Sequence, residues 1–272
     1  MKILAIFTCF NRVTKTVNSI KKLVDGNKNL EFEFIVVDDG SKDGTIEALE
    51  QLRETISIYI LQGSGSLYYS GGMRMGMEYA LNNLKRDYDY LLMMNDDVEF
   101  FDGCICDLIA QSQEKQAVIV GTTCSHIGKL SYGAIKYKSS YKYVTLDIEQ
   151  SNTPADAFNA NCVLIPYDCF LECGSIDPYY IHSLGDFDYG LIIRKKNYKI
   201  YPSKKYCGYC DRNDIKGTWL DISLSVRERL ALKEKCKGQP RKQWFYFLKK
   251  NFGLIVAVRG TITSYLRIIL GR

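Results

Sequence analysis

Four clusters of residues along the 272-residue chain have types and spacing suited to chemistry. Asp38 and Asp39 close the apolar run Val36-Val37 and are followed by Gly40-Ser41 and Asp43-Gly44-Thr45. Carboxylates leaving a buried strand at such a turn can accept hydrogen bonds from a base edge or a ribose hydroxyl; the same pattern also makes an ordinary Asp/Ser helix cap. Asn95-Asp96-Asp97 follows Leu91-Leu92-Met93-Met94. Adjacent acids repel unless a cation is near, and hard oxygen donors with little else suit Mg²⁺ or Mn²⁺ completed by water and phosphates. The bland alternative is a solvated acidic turn. Gly185-Asp186-Phe187-Asp188-Tyr189-Gly190 opens a helical pattern, where an Asp serves as a cap or as a general base aimed into a cleft. Residues 63–72, GSGSLYYSGG, offer backbone N–H groups to phosphate but lack the lysine of a P-loop.

The elements that must position these residues alternate. Strands are expected at Lys2–Phe7, Glu33–Asp38, Ile56–Leu61 and Tyr90–Met94, with helices near Thr14–Val24, Ile46–Arg53 and Gly71–Leu84 between them. That order implies parallel βαβ units, which bring the acidic strand ends to the carboxyl edge of a sheet, where open α/β sheets bind ligands. Further strands are expected near Ala117–Cys124, Tyr132–Lys136 and Asn161–Ile165, and a helix at Asp186–Lys196. Residues 125–159 carry no readable cleft pattern. From about Asp221 the chain reads as helical, broken at Gly238-Gln239-Pro240.

Hydrophobic residues at 46% and charged residues at 25% are ordinary globular values and exclude a disordered or collagen-like chain. Ten scattered cysteines read as reduced thiols of a cytosolic protein rather than a disulfide framework. The N-terminal MKILAIFTCFNR reads as a buried strand and not a signal peptide. The net charge of +5 is asymmetric: residues 221–272 carry +9 and the remainder −4, so the tail favours an anionic partner. Trp244, Phe247, Leu248, Phe252, Ile255 and Val256 recur at helical spacing among Lys and Arg, which suits an interfacial membrane helix. Packing on the rest of the chain or on a second subunit is the alternative. No recognition motif accompanies the tail's aromatics, so a nucleic-acid partner is not expected.

The strings VVDDGSKDGT, GGMR, MMNDDV and LGDFDYGLIIR resemble, in that order, family 2 glycosyltransferases over roughly residues 2–212. The GDFDY segment is most similar to rhamnosyl- and galactofuranosyl-type transferases of bacterial surface polysaccharides. This resemblance implies a GT-A fold, a single Rossmann-like, mostly parallel sheet flanked by helices, spanning 1–212 with a basic helical tail at 213–272. It also implies an inverting transfer from a nucleotide-diphosphate sugar to a hydroxyl of a glycan or lipid-linked acceptor, assisted by Mn²⁺ or Mg²⁺, at the inner face of the cytoplasmic membrane. By the same resemblance Thr8, Asn11 and Arg12 line the nucleotide pocket. Asp39 meets the nucleobase, Asp96 the ribose and Arg74 the donor cleft; Asp97 binds the metal. Asp186 is the catalytic base, with Asp188 in reserve. Two departures stand out: Asn95 replaces the first acid of the DxD-type motif, and Cys210 stands 24 residues after Asp186, where many members place a metal-binding His. They leave room for a catalytically inactive nucleotide-sugar-binding module. Cys207-x-x-Cys210 and Cys169-x-x-x-Cys173 do not match a structural zinc spacing.

Overall fold

The computed structural model describes residues 1–85 and 87–271. Alternation in the first strand sets the layering. β1 (Lys2–Cys9) sends Ile3, Ala5 and Phe7 to one face and Leu4 and Ile6 to the other, all fully buried, as a two-residue period requires. Burial on both faces demands cover on both. α1 (Val13–Asp25), α2 (Thr45–Leu52) and α4 (Cys104–Lys115) cover the first face with Ile20, Leu49, Ile105 and Leu108. α3 (Tyr68–Asn83), α5 (Tyr167–Cys173) and α6 (Gly185–Lys195) cover the second with Met73, Met77, Phe170 and Ile193.

The main sheet has eight strands, in the order β3 (Ser57–Gln62), β2 (Glu31–Asp38), β1, β4 (Tyr90–Met94), β10 (Cys162–Pro166), β6 (Val118–Cys124), β11 (Ile200–Tyr209), β5 (Glu99–Phe100). The first four are parallel. The chain winds outward from β1 to β3 and then restarts beside β1 with β4, so the winding reverses between β1 and β4. A crevice opens at the carboxyl ends of strands flanking such a reversal. The register Cys9↔Asp38 and Ile6↔Met93 brings the ends of β1, β2 and β4 together there.

The sheet is less parallel than expected. β10 runs antiparallel to both β4 and β6. The chain between β6 and β10 crosses through a separate three-stranded sheet, β8 (Lys142–Thr145), β7 (Ala134–Ser139) and β9 (Ala157–Phe158), instead of a covering helix, and so re-enters in the opposite direction. The pairing Cys162↔Met94 sets the segment before β10 against the end of β4. α4 and β11 were not anticipated. In β11, Pro202 sits beside a register shift between Pro202 and Tyr206, where a strand tolerates proline.

The tail folds as α7 (Val226–Glu234), α8 (Arg241–Phe252) and α9 (Leu254–Ile269). Ser225 and Glu228 form a capping box at the start of α7. Gly253 at φ +90° ends α8, so the amphipathic helix expected to run past residue 252 is a hairpin of two. The membrane-helix expectation places Trp244, Phe247 and Leu248 against lipid. They are instead buried with Tyr180 and Ala257 in a third core cluster. Each such burial is worth about 1.5–3 kcal/mol, a cost that withdrawal to a bilayer would have to match. An ion-pair network secures the hairpin: Lys250 Nζ lies 2.6 Å from Asp188 and 2.7 Å from Asp177, and Asn251 donates to Asp188 at 2.7 Å.

Candidate active site

The loop after β1 and the turn after β2 tie each other down. Asn11, at φ +51°, donates its backbone N–H to Ser41 Oγ at 2.8 Å, and its side-chain carbonyl accepts from the Lys42 N–H at 2.8 Å. Arg12 is thereby presented to the end of β4, where Nη1 lies 3.2 Å from Asp96 and 2.9 Å from Asp97. Asp96 is the inner acid, 7% exposed in its side chain against 22% for Asp97. Burial pushes the Asp96 carboxyl up to about 6, with Arg12 opposing and Asp97 adding to the shift. The acid pair thus comes with its own counter-charge, on a guanidinium 46% exposed.

Asp39 holds the Gly/Ser loop. Its two oxygens accept from the N–H groups of Gly65 at 2.8 Å and Tyr68 at 2.9 Å, so the carboxylate positions the loop. Gly65 turns there at φ +82°, a conformation glycine adopts without strain. α3 then presses on β1: a Cβ at Gly72 would come within 2.4 Å of Thr8 Oγ1. Thr8 is spent structurally, donating to the Val37 carbonyl at 3.0 Å. Arg74 donates to the Tyr180 carbonyl at 3.1 Å and Ser70 to that of His182 at 2.8 Å, bonds that carry the segment preceding α6 up to the crevice. Arg74 therefore acts on that segment in this structure.

Asp186 stands in the first turn of α6. Its carboxylate accepts from the N–H groups of Phe187 at 2.9 Å and Ala160 at 3.3 Å. Burial nevertheless dominates and pushes it up to about 6. Ala160 is followed by Asn161, whose amide donates to Cys210 Sγ at 3.4 Å; that thiol in turn lies 3.9 Å from Asp97. Two consecutive residues before β10 therefore connect the proposed base to the acid pair. Sequence reading missed them, because only the antiparallel entry of β10 brings them there. Asp188, the reserve base, is fully buried and committed to Lys250 and Asn251; two residues further along α6 than Asp186, it faces the tail rather than the crevice. His182 stacks edge-on to Tyr68, and burial lowers its pKa to about 4, so it is neutral near pH 7 and packs.

The two cysteine pairs do not meet. Cys207 packs in the core beside Cys162 while Cys210 faces Asp97, and the Cys169 and Cys173 sulfurs lie 4.0 Å apart. Among the described residues no group of three or more His, Cys, Asp and Glu is gathered for a metal. A Mg²⁺ or Mn²⁺ site needs only one or two carboxylates when donor phosphates and water supply the rest. Asp97, the more exposed acid, fits that need; the Cys210 thiol does not, and burial pushes it up to about 12.

Solved structures share the fold. S. aureus TarS 1-349 aligns with 98% of this chain and 81% of its own at 14% identity, with a TM-score of 0.56. Its complex with UDP aligns with 92% and 70% at 14% identity and a TM-score of 0.56. A mannosyltransferase, PcManGT from Pyrobaculum calidifontis in complex with GDP-Man and Mn²⁺, aligns with 98% and 74% at 10% identity and a TM-score of 0.57. A comparison with curated proteins finds no match. The family model for glycosyl transferase family 2 matches residues 3–163, from β1 through the crevice acids into β10. On that match the chain belongs to glycosyl transferase family 2, with the GT-A fold.

Proposed function

We propose that the protein transfers a sugar, with inversion, from a nucleotide-diphosphate donor to a hydroxyl of a glycan or lipid-linked acceptor in bacterial surface polysaccharide synthesis. One observation carries this reading: a carboxylate raised to about 6 is linked through Ala160-Asn161 to an acid pair at the winding reversal. Asp186 accepts the proton of the acceptor hydroxyl as its oxygen attacks the anomeric carbon and the nucleoside diphosphate leaves from the opposite face. A base active near neutral pH is aided by a pKa close to that pH. Asp39, Asn11 and the 63–72 loop shape the nucleotide side. Arg12 places positive charge beside Asp96 and Asp97, where the leaving diphosphate would lie. Asp97 would hold a divalent cation, which when bound supplies charge neutralisation for the diphosphate.

A peripheral membrane location is supported by Ile255, which was expected to face lipid, together with residues of α9 that were not. Ile255, Val258, Ile262, Leu266 and Ile269 form one face of α9, and Ile255 is 85% exposed. Arg259 and Arg267 lie on the same helix. An apolar stripe with the Arg259 cation beside it suits the headgroup boundary of anionic lipid. Among the described residues no helix is long and apolar enough to cross a membrane.

The test is a panel of UDP-, GDP- and dTDP-sugars with and without Mn²⁺, reading nucleoside diphosphate release and the anomeric configuration of the product by proton NMR. Turnover of one donor with an inverted anomer is expected. Binding without turnover would favour the inactive nucleotide-sugar-binding module, and a retained anomer would remove the single-displacement mechanism.

A further inference from the structure

The face of α6 just beyond Asp186 meets the tail across a cavity of about 200 Å³. Its walls are unusually aromatic: Tyr137 and Tyr143 from the small sheet, Phe187 from α6, and Trp219, Trp244 and Phe247 from the tail. Tyr143 crosses Phe187 edge to face at 5.3 Å, leaving ring surface toward the space. Two buried polar atoms in this lining, Tyr137 Oη and Gln239 Oε1, have no hydrogen-bond partner among the described residues. A core that merely excluded water would pair such atoms or replace them, since each unpaired one costs about 1–3 kcal/mol. Gln239 is not free to retreat, because its backbone is pinned at both ends to Lys233. Arg267 also lines the cavity, is exposed, and makes no ion pair with a described residue.

We infer that this cavity is the acceptor subsite, taking one pyranose ring that carries an anionic substituent. Rings on several sides match the apolar C–H faces of a pyranose, while the unpaired phenol and amide oxygen match its hydroxyls. Arg267 meets the anion. The volume is below the roughly 300–1,000 Å³ of sites that hold drug-sized ligands, which suits a single ring rather than an oligosaccharide. The cavity also lies near Asp186. Leu184 and Phe187 of its lining flank Asp186 in the chain, and the Asp186 charge adds to the rise that burial gives the Tyr137 and Tyr143 hydroxyls. The inference rests on the transferase reading for the identity of the acceptor, and it gives the tail a part in specificity that the family match, ending at residue 163, does not reach.

The experiment measures binding of methyl hexopyranosides and of hexose 6-phosphates to the full-length protein by saturation-transfer NMR and calorimetry. Wild type, Tyr137→Phe and Arg267→Gln are compared, with UDP, GDP and dTDP titrated into the same samples. Arg267 is exposed, and Tyr137→Phe removes one oxygen without changing the ring, so both variants keep the fold. The phosphorylated hexoses are expected to bind wild type about tenfold more tightly than the neutral ones, an advantage that Arg267→Gln abolishes. Tyr137→Phe is expected to weaken both classes by about twofold to tenfold. Nucleotide affinity is expected to be unchanged in each variant. No saccharide binding by wild type, or binding indifferent to both substitutions, overturns the subsite. Failure of all three nucleotides to bind wild type would instead remove the transferase reading, while the saccharide titrations still decide the cavity.

Discussion

Asp39 and Asp97 follow the two strands that flank β1 and have different work to do. Asp39 spends both oxygens on the Gly65 and Tyr68 amides. Asp39→Ala is therefore expected to loosen the 63–72 loop and raise the donor KM by about tenfold or more while kcat falls less. That split, measured by steady-state kinetics, marks lost ground-state binding; a kcat loss at unchanged KM would contradict it. Asp97 is the carboxylate available to a cation. Asp97→Asn is expected to weaken the Mn²⁺ dependence of donor binding, followed by calorimetry at several metal concentrations. An unchanged metal titration would remove Asp97 as a ligand. Asp96 bears on stability. Its folded pKa of about 6 lies above the ordinary value of 3.8, so the folded state binds the proton more tightly than the unfolded state. Its contribution thus makes stability fall as pH rises from about 4 to 6. Asp96→Asn is expected to flatten that part of a denaturation-versus-pH curve.

At the scale of elements, α6 is bound to the tail by a nearly buried charge network. Removing Lys250 leaves Asp188, at 1% exposure, and Asp177 without their cation, a loss of about 3 kcal/mol for a broken buried pair. Lys250→Met is expected to lower the urea midpoint accordingly, and a midpoint within error of wild type would show the network to be dispensable. Asp188 also shows what the sequence could not say. Asp186 and Asp188 are alike in type and both lie in the first turn, yet two residues are about 200° of helix, which separates a cleft residue from a tail anchor. The βαβ half was legible because its apolar runs are clean: Tyr90–Met94 falls where the continuous apolar run put it, and the acids after β2 and β4 follow from strand ends. The Ala160-Asn161 link was not legible, since it depends on β10 reversing direction. The partition of the tail was not legible either, since α8 and α9 both have apolar faces and only tertiary packing decides which is covered.

For the whole molecule, the buried Trp244, Phe247 and Leu248 mean that deleting residues 240–272 should strip cover from Tyr180 and yield an aggregating protein. A cleaner probe of membrane contact is the triple substitution Ile255→Gln, Ile262→Gln and Leu266→Gln, all at exposed positions. It is expected to keep donor binding while releasing the protein from vesicles rich in anionic lipid in a sedimentation assay. Equal sedimentation of variant and wild type would show that α9 does not dock there. Asp186 is the proposed base of the transfer. The direct measurement is kcat against pH for wild type and Asp186→Asn, with donor affinity measured separately. Wild-type kcat is expected to fall as pH drops through about 6, where the carboxylate takes up its proton. Asp186→Asn is expected to lower kcat by about 10²–10⁴-fold with donor affinity retained. Transfer by Asp186→Asn at near wild-type rate, with the acid limb still in place, would contradict the assignment.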